Sequence, residues 1–457
     1  MSEYKGYRGL PVLSGLCTME EAMGEGLGVD ECVRRLKRFH YSLKRLHRVF
    51  NDRLTAEPIY ELKMGFSLHS FLCAELATGL RQRIGEMREP PLGLDAVPCE
   101  ALEVLFDEIA NAGDTQGLVL GLYGIVLPAL KTEVEQYCSD THPLADAPTR
   151  RLLRAGLLDL EDMTVYGAQV LEALGVEGNQ WSAHLGKAWE GELIEREYSL
   201  EPRTFDGVPR RDERFPDPYN MGVNAEVFLY DEHMPAQAKT LMMFYKRLRE
   251  IDVPEMMASI IAETEGKPWG YYRDMTRQLW DESRHAMMGE VGFAQAGVDW
   301  PRQVMVNFTW SLALNTQLNP KERHAVLYFI EQGLMPKTGK RYEWEVAKES
   351  GNTLSALFQD FDWADEVLHA RVGRDWYLSQ FDDSKEAVEY GDQCWSRVLM
   401  DWSKYKEDGL SKHRNWWPDC YRAACEAKGE IPKETVMAYD TSYKEVRADL
   451  KNLSVSG

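Results

Sequence analysis

Two short segments decide the fold: Trp280-Asp281-Glu282-Ser283-Arg284-His285-Ala286 and Ala364-Asp365-Glu366-Val367-Leu368-His369-Ala370. Both read Asp-Glu-x-x-His-Ala, and both sit in stretches whose apolar residues recur at intervals of three and four. Residues three apart share one face of a helix. Each segment therefore presents a carboxylate and an imidazole toward one point, a donor mixture suited to a first-row transition metal. A single Glu-x-x-His on a helix arises readily by chance. Two copies in one chain ask for a common explanation.

A four-helix metal site takes one more Glu from each of two further helices. Glu255 and Glu282 lie at comparable distances on either side of the Gly266-Lys267-Pro268 turn, so an antiparallel pair sets them at one level. Glu331 precedes Glu366 across a turn between Gly333 and Gly351, on a path interrupted by Pro336 and Gly339. The candidate metal ligands are thus Glu255, Glu282, His285, Glu331, Glu366 and His369. Four carboxylates with two neutral imidazoles balance two divalent cations. Without metal, such a buried set repels itself and must raise pKa values or bear a desolvation cost of several kcal/mol. Taken singly, each Glu also fits a solvated helix surface and each His a satisfied core position.

Asp281 and Asp365 each precede a ligand Glu. A metal-bound imidazole normally donates its other N–H to a carboxylate or carbonyl, which makes both Asp residues candidates for that role, with Arg284 able to neutralise one of them. His324, seven residues before Glu331, lies on nearly the same helix face and is a candidate extra ligand or base, although a polar residue near the start of a helix after Asn319-Pro320 is the simpler reading. Tyr272 and Tyr328 are candidates for redox-active side chains, against the commoner fate of an aromatic as core.

The set Glu255, Glu282/His285, Glu331, Glu366/His369 resembles the ferritin-like di-iron carboxylate superfamily, over roughly residues 234–380. The resemblance implies an up-down four-helix bundle with a long crossover, supplied here by residues 296–320. It implies two iron ions held by carboxylates in the bundle core, with manganese or a mixed iron–manganese pair as the other occupants such ligands accept. In the resembling families an Asp in the position of Asp281 or Asp365 often orients the imidazole of a neighbouring helix.

Outward from this region, helices are expected over 29–55, 58–88, 99–138 (interrupted near Gly113), 147–175, 234–265, 268–296, 301–333, 353–381 and 384–408, as in the stripe Val33, Leu36, Phe39, Leu43, Leu46 and Phe50. The fold class expected is all-α: two helical bundles, the second a ferritin-like four-helix bundle with a di-metal core. All 13 Trp lie at or beyond Trp181, which places a boundary near 185. Residues 1–185 read as an N-terminal bundle, 186–233 as an irregular linker or loop rich in Pro and Gly, 234–400 as the di-metal domain and 401–457 as a C-terminal helical arm for packing or dimerisation. In the N-terminal bundle Asp159 to Gly167 resembles Asp281 to Gly289, but Thr164 stands where the histidine would be, and Glu61, His69, Glu75, Glu133 and His142 make no pair of Glu-x-x-His motifs. It is expected to be a metal-free, ferritin-like support.

A net charge of −21 with no dense Lys/Arg run argues against nucleic acid or an anionic membrane as a partner. Eight cysteines with no Cys-x-x-Cys pair argue against a disulfide framework or a thiolate zinc site. With no signal-peptide layout and no stretch of about 18 apolar residues, a cytoplasmic location is expected. The leading functional expectation is a di-metal oxidase or oxygenase that uses O₂ on a small organic substrate, with an external electron donor and a homodimer as the candidate assembly. Iron or peroxide handling, or a non-enzymatic scaffold, are the alternatives; the chain is much longer than a ferritin subunit and lacks the Cys-x-x-Cys of a rubredoxin-type centre.

Overall fold

The computed structural model describes residues 4–88, 93–195, 207–215, 223–306, 309–334, 339–410 and 414–442. Every regular element among them is a helix. The chain divides into two compact units, residues 1–50 with 69–204, and residues 51–68 with 205–457. Residues 51–68 thus group with the C-terminal unit, a discontinuity that no composition shift announces.

In the first unit, α1 (Val29–Leu54) buries the stripe Cys32, Leu36, Phe39, Leu43, Leu46 and Phe50. Helix α2 (Tyr60–Gly85) gives its residues from His69 onward to this unit. The helix expected over 99–138 is two, α3 (Glu100–Ala110) and α4 (Thr115–Asp140), and Asp114 caps the second by accepting from the Gly117 N–H at 2.8 Å. Helix α5 (Ala147–Ala173) packs along α4, and α6 (Gln180–Trp189), capped by Asn179, packs on α3. By length and composition α4 is apolar enough to cross a membrane, contrary to the expectation that no such stretch exists. Here Leu118, Leu122, Val126, Leu127 and Leu130 are buried, as in a core helix of a bundle.

In the second unit the expected 234–265 helix is broken. Helix α7 (Ala236–Arg249) ends and α8 (Asp252–Glu263) begins with Glu250 and Ile251 between them. Pro254 explains the break: a proline ring clashes with the carbonyl four residues earlier, here that of Glu250, and has no N–H to donate. After α9 (Trp269–Gln295) come α10 (Thr309–Gln317), α11 (Pro320–Leu334), α12 (Lys340–Glu349), α13 (Thr353–Trp376), α14 (Ser384–Glu407) and α15 (Trp417–Lys428). The single helix expected over 301–333 is divided at Leu318-Asn319-Pro320, α6 and α12 were not anticipated, and α15 lies within the helical arm expected over 401–457.

The packing order is circular: α7 and α8 lie on α9, α9 on α13, α13 on α11, and α11 back on α8, with α12 closing over α7 and α13. Gly289 lets α9 approach α7 closely, since a Cβ there would overlap the Phe244 carbonyl and the Leu248 backbone. Trp416 and Trp417, from the arm expected at the C-terminus, are fully buried, and Trp417 Nε1 donates to the Val436 carbonyl at 2.8 Å. Of the linker or loop expected over 186–233, residues 196–206 and 216–222 lie outside the described residues, as do 411–413 and 443–457 of the arm.

Candidate metal centre

The two Asp-Glu-x-x-His-Ala segments lie at facing levels of α9 and α13. On each, helical spacing aims the Glu and the His inward, and both imidazoles are fully buried. His369 Nδ1 is 3.1 Å from Glu282 Oε1, 3.7 Å from Glu366 Oε2 and 3.8 Å from Glu331 Oε1. His285 Nδ1 is 3.4 Å from Asp362 Oδ1 and 3.6 Å from both Glu282 Oε2 and Glu250 Oε2. Donor atoms of Glu282, Glu331, Glu366 and His369 all lie within 4.8 Å of one another, as do those of Glu250, Glu282 and His285 and those of His285, Asp362 and Glu366.

These sets overlap at Glu282, His285 and Glu366, so they outline two adjoining candidate cation positions. One is made by Glu331 and His369, the other by Glu250, His285 and Asp362, and Glu282 and Glu366 lie between them. Donor separations of 3.1–3.8 Å are those of neighbouring ligands around an ion bound at about 2.0–2.2 Å. Several donors have no hydrogen-bond partner despite burial: His285 Nδ1, His369 Nδ1, Glu250 Oε2, Glu331 Oε2 and Glu366 Oε2. Buried polar atoms are ordinarily satisfied, so five orphaned donors converging on one place fit a cation.

The outer ring is reciprocal. Asp365 on α13 lies 3.2 Å from Nε2 of His285 on α9, and Asp281 on α9 lies 3.5 Å from Nε2 of His369 on α13. Each imidazole thus turns Nδ1 inward and Nε2 toward an Asp of the opposite helix, the arrangement that fixes a ligand's tautomer and orientation. Arg284 joins the two halves by pairing with both Asp281 and Asp365. Asp281 is held down at about 2: burial opposes ionisation, and His369 and Arg284 outweigh it.

Carboxylate crowding shows in the pKa pattern. Burial and the neighbouring Glu366 push Glu331 well above the ordinary carboxylate range. Burial alone would lower His285, yet Asp362, Asp365 and Glu282 lift it to about 10, and His369 is likewise raised. Without metal, protons occupy places where cations would sit.

Glu255, expected as a ligand, is elsewhere. The break at Glu250–Ile251 changes the facing of α8. Glu255 there meets Lys63 at 2.9 Å, Arg211 at 2.9 Å and the Ser311 hydroxyl at 2.6 Å, all deeply buried. Arg211 also pairs with Asp252. Burial opposes the charge on Glu255, but Arg211 and Lys63 hold it down at about 2. Glu250, at the end of α7, takes the place expected of Glu255.

The sequence also left out Asp362, Arg247 and Lys340. Asp362 stands one helical turn before Glu366 and three positions beyond Gln359, so its facing was legible. Arg247 and Lys340 arrive from α7 and α12, and no local pattern signals them. His324 is buried against Tyr271 and Tyr377, with burial and Lys267 lowering it to about 4; it belongs to none of the donor groups. Tyr272 donates to the Thr264 carbonyl at 2.9 Å, and Tyr328 packs on Gly373 and Tyr377. In the first unit, Glu133 pairs with Arg38, His69 meets the Tyr123 hydroxyl at 2.8 Å, and Thr164 donates to its own helix at the Leu160 carbonyl. Comparison with family models, curated proteins and solved structures finds no match to this chain.

Proposed function

We propose that this protein is a di-metal carboxylate oxidoreductase, of ferritin-like architecture in its second unit, that uses O₂ to oxidise or oxygenate a small organic substrate. The observation carrying this reading is that Nδ1 of His285 and Nδ1 of His369, neither making a hydrogen bond, converge with orphaned carboxylate oxygens in a buried interior. Further support is the circular packing of α7/α8, α9, α13 and α11, which sends one or more donors inward from every element, as carboxylate bundles do. Iron is the first candidate, and manganese or a mixed pair suits the same oxygen and nitrogen donors.

When bound, the metal pair supplies binding and reduction of O₂, chemistry no side chain offers. The chain's own part is positional. Glu282 and Glu366 lie between the two positions and are the carboxylates able to touch both. Asp281 and Asp365 hold the imidazoles with Nδ1 inward, and Arg284 pairs with both Asp residues. Burial of Glu282, His285, Glu331, Glu366 and His369 keeps bulk water from them, which strengthens every charge interaction inside.

The test is anaerobic loading with Fe(II), followed by exposure to O₂ in an oxygen electrode. Consumption of O₂ in proportion to chain, abolished in His369→Ala, is the expected outcome. Uptake of many irons per chain into a mineral would favour storage, and no iron uptake at all would leave a scaffold.

A further inference from the structure

The two cation positions are unequal in charge. Around Glu331 and His369 no lysine or arginine makes an ion pair among the described residues; the near neighbour is neutral, Gln278 Nε2, 3.0 Å from Glu331 Oε1. Around Glu250, His285 and Asp362 two permanent cations are already seated. Lys340 Nζ lies 2.6 Å from Glu366 Oε1 and 2.9 and 3.0 Å from the two oxygens of Asp362. Arg247 pairs with Asp362 and, at 3.0 Å, with Glu250. Lys340 and Arg247 are fully buried, so neither charge is offset by water.

An ammonium within hydrogen-bond distance of two candidate ligands competes directly with a metal for the same oxygens. Arg247 sits at the outer side, between Glu250 and Asp362 and beside Glu343. Lys340 alone reaches Glu366, the carboxylate lying between the two positions. Five carboxylates (Glu250, Glu282, Glu331, Asp362, Glu366) against these two cations leave three negative charges, enough for one divalent ion and one short of the four that two divalent ions carry. Removing the Lys340 charge leaves four, which two divalent ions neutralise.

We propose that Lys340 is a built-in cation of the second metal position. The first ion binds Glu282, Glu331, Glu366 and His369. A second is admitted to Glu250, His285 and Asp362 only as the Lys340 ammonium withdraws from Glu366 and Asp362, so the metals load in order. This inference rests on the di-metal reading above and adds its sequence. Lys340 is a positioning residue here, acting through the carboxylates it holds.

The experiment is titration of the full-length, chelator-stripped protein with Mn(II), followed by equilibrium dialysis with elemental analysis and by electron paramagnetic resonance. Expected for the unaltered chain is one tight Mn(II) with an isolated-ion spectrum, then a second bound at least tenfold more weakly, whose arrival produces an exchange-coupled signal. Lys340→Met should tighten the second event at least tenfold, and Lys340→Arg should keep the two events apart. His285→Ala should retain the tight ion, and His369→Ala should lose it; these two comparisons stand even if Lys340→Met folds poorly. Two equal affinities in the unaltered chain, or loss of the tight ion in His285→Ala with retention in His369→Ala, would overturn the order while leaving a di-metal site. No Mn(II) or Fe(II) uptake would overturn the di-metal reading itself.

Discussion

Two buried acidic clusters lie within a few residues of each other in the second unit, and their fates differ. Glu255 and Asp252 face Lys63 and Arg211, two acids against two bases, and both oxygens of Glu255 are engaged. Glu250, Glu282, Glu331, Asp362 and Glu366 face Arg247 and Lys340, five acids against two bases, and several of their donors and both His Nδ1 atoms point at no partner. Burying carboxylates is therefore not what marks a metal centre. A charge deficit with unanswered oxygens on several carboxylates and an unanswered nitrogen on both imidazoles marks the candidate, whereas the balanced cluster leaves Asp252 Oδ2 as its one unanswered acid oxygen. The histidines repeat the lesson. His69, buried without a carboxylate, is driven down to about 3 by burial, while His285, buried among carboxylates, is lifted to about 10.

The contrast can be broken most forcefully by removing a ligand. His369→Ala should abolish tight metal binding, a loss of at least a hundredfold by equilibrium dialysis, and should leave the thermal transition of the metal-free protein within a few degrees of the parent. Next in size is the joint. Glu255→Ala takes from Lys63 its carboxylate and leaves Arg211 with Asp252 alone of its two acids, and breaking a buried ion pair from one side costs about 3–5 kcal/mol; urea unfolding should show that loss, while the metal taken up per folded chain stays as in the parent. If Glu255→Ala instead removed metal at unchanged stability, the two clusters would have been assigned the wrong way round.

Smaller effects sharpen the outer ring. Asp281→Asn keeps the size of the group facing His369 Nε2 but removes its charge, and should weaken metal binding about 10–100-fold with stoichiometry retained. The last concerns three buried histidines of the first unit. His40, His47 and His69 are held to about 3 by burial against an ordinary 6.5. The folded form then binds fewer protons than the unfolded one between these values, so stability is full above about pH 6.5 and falls as the pH drops toward 3. His69→Gln, which keeps an acceptor for Tyr123, should flatten the urea-derived slope by up to about 1.4 kcal/mol per pH unit across that window.

Much of this was legible in the sequence because it is local. The helical stripe of α1, the break near Gly113 and the inward facing of Glu282, His285, Glu366 and His369 all follow from spacing within one helix. The roles of Asp281 and Asp365 toward the neighbouring helix came from the resemblance to carboxylate bundles rather than from spacing alone. Glu331 joined the donor groups despite the interrupted path ahead of it. Glu255 failed because levels were counted along an unbroken 234–265 helix, although Pro254 was there to break it. Asp362 was overlooked for want of counting one more turn back from Glu366. Arg247 and Lys340 could not be read at all, since their meeting with Asp362 depends on how α7, α12 and α13 pack together.

The most direct measurement is anomalous diffraction, at the iron and manganese edges, from a crystal of the full chain loaded with either metal. Expected is a peak among Glu282, Glu331, Glu366 and His369 Nδ1, with a second, less occupied peak among Glu250, His285 Nδ1 and Asp362. A core without any peak, or a peak seated beside Glu255 and Asp252, would contradict the assignment of the metal to the cluster that lacks its own cations.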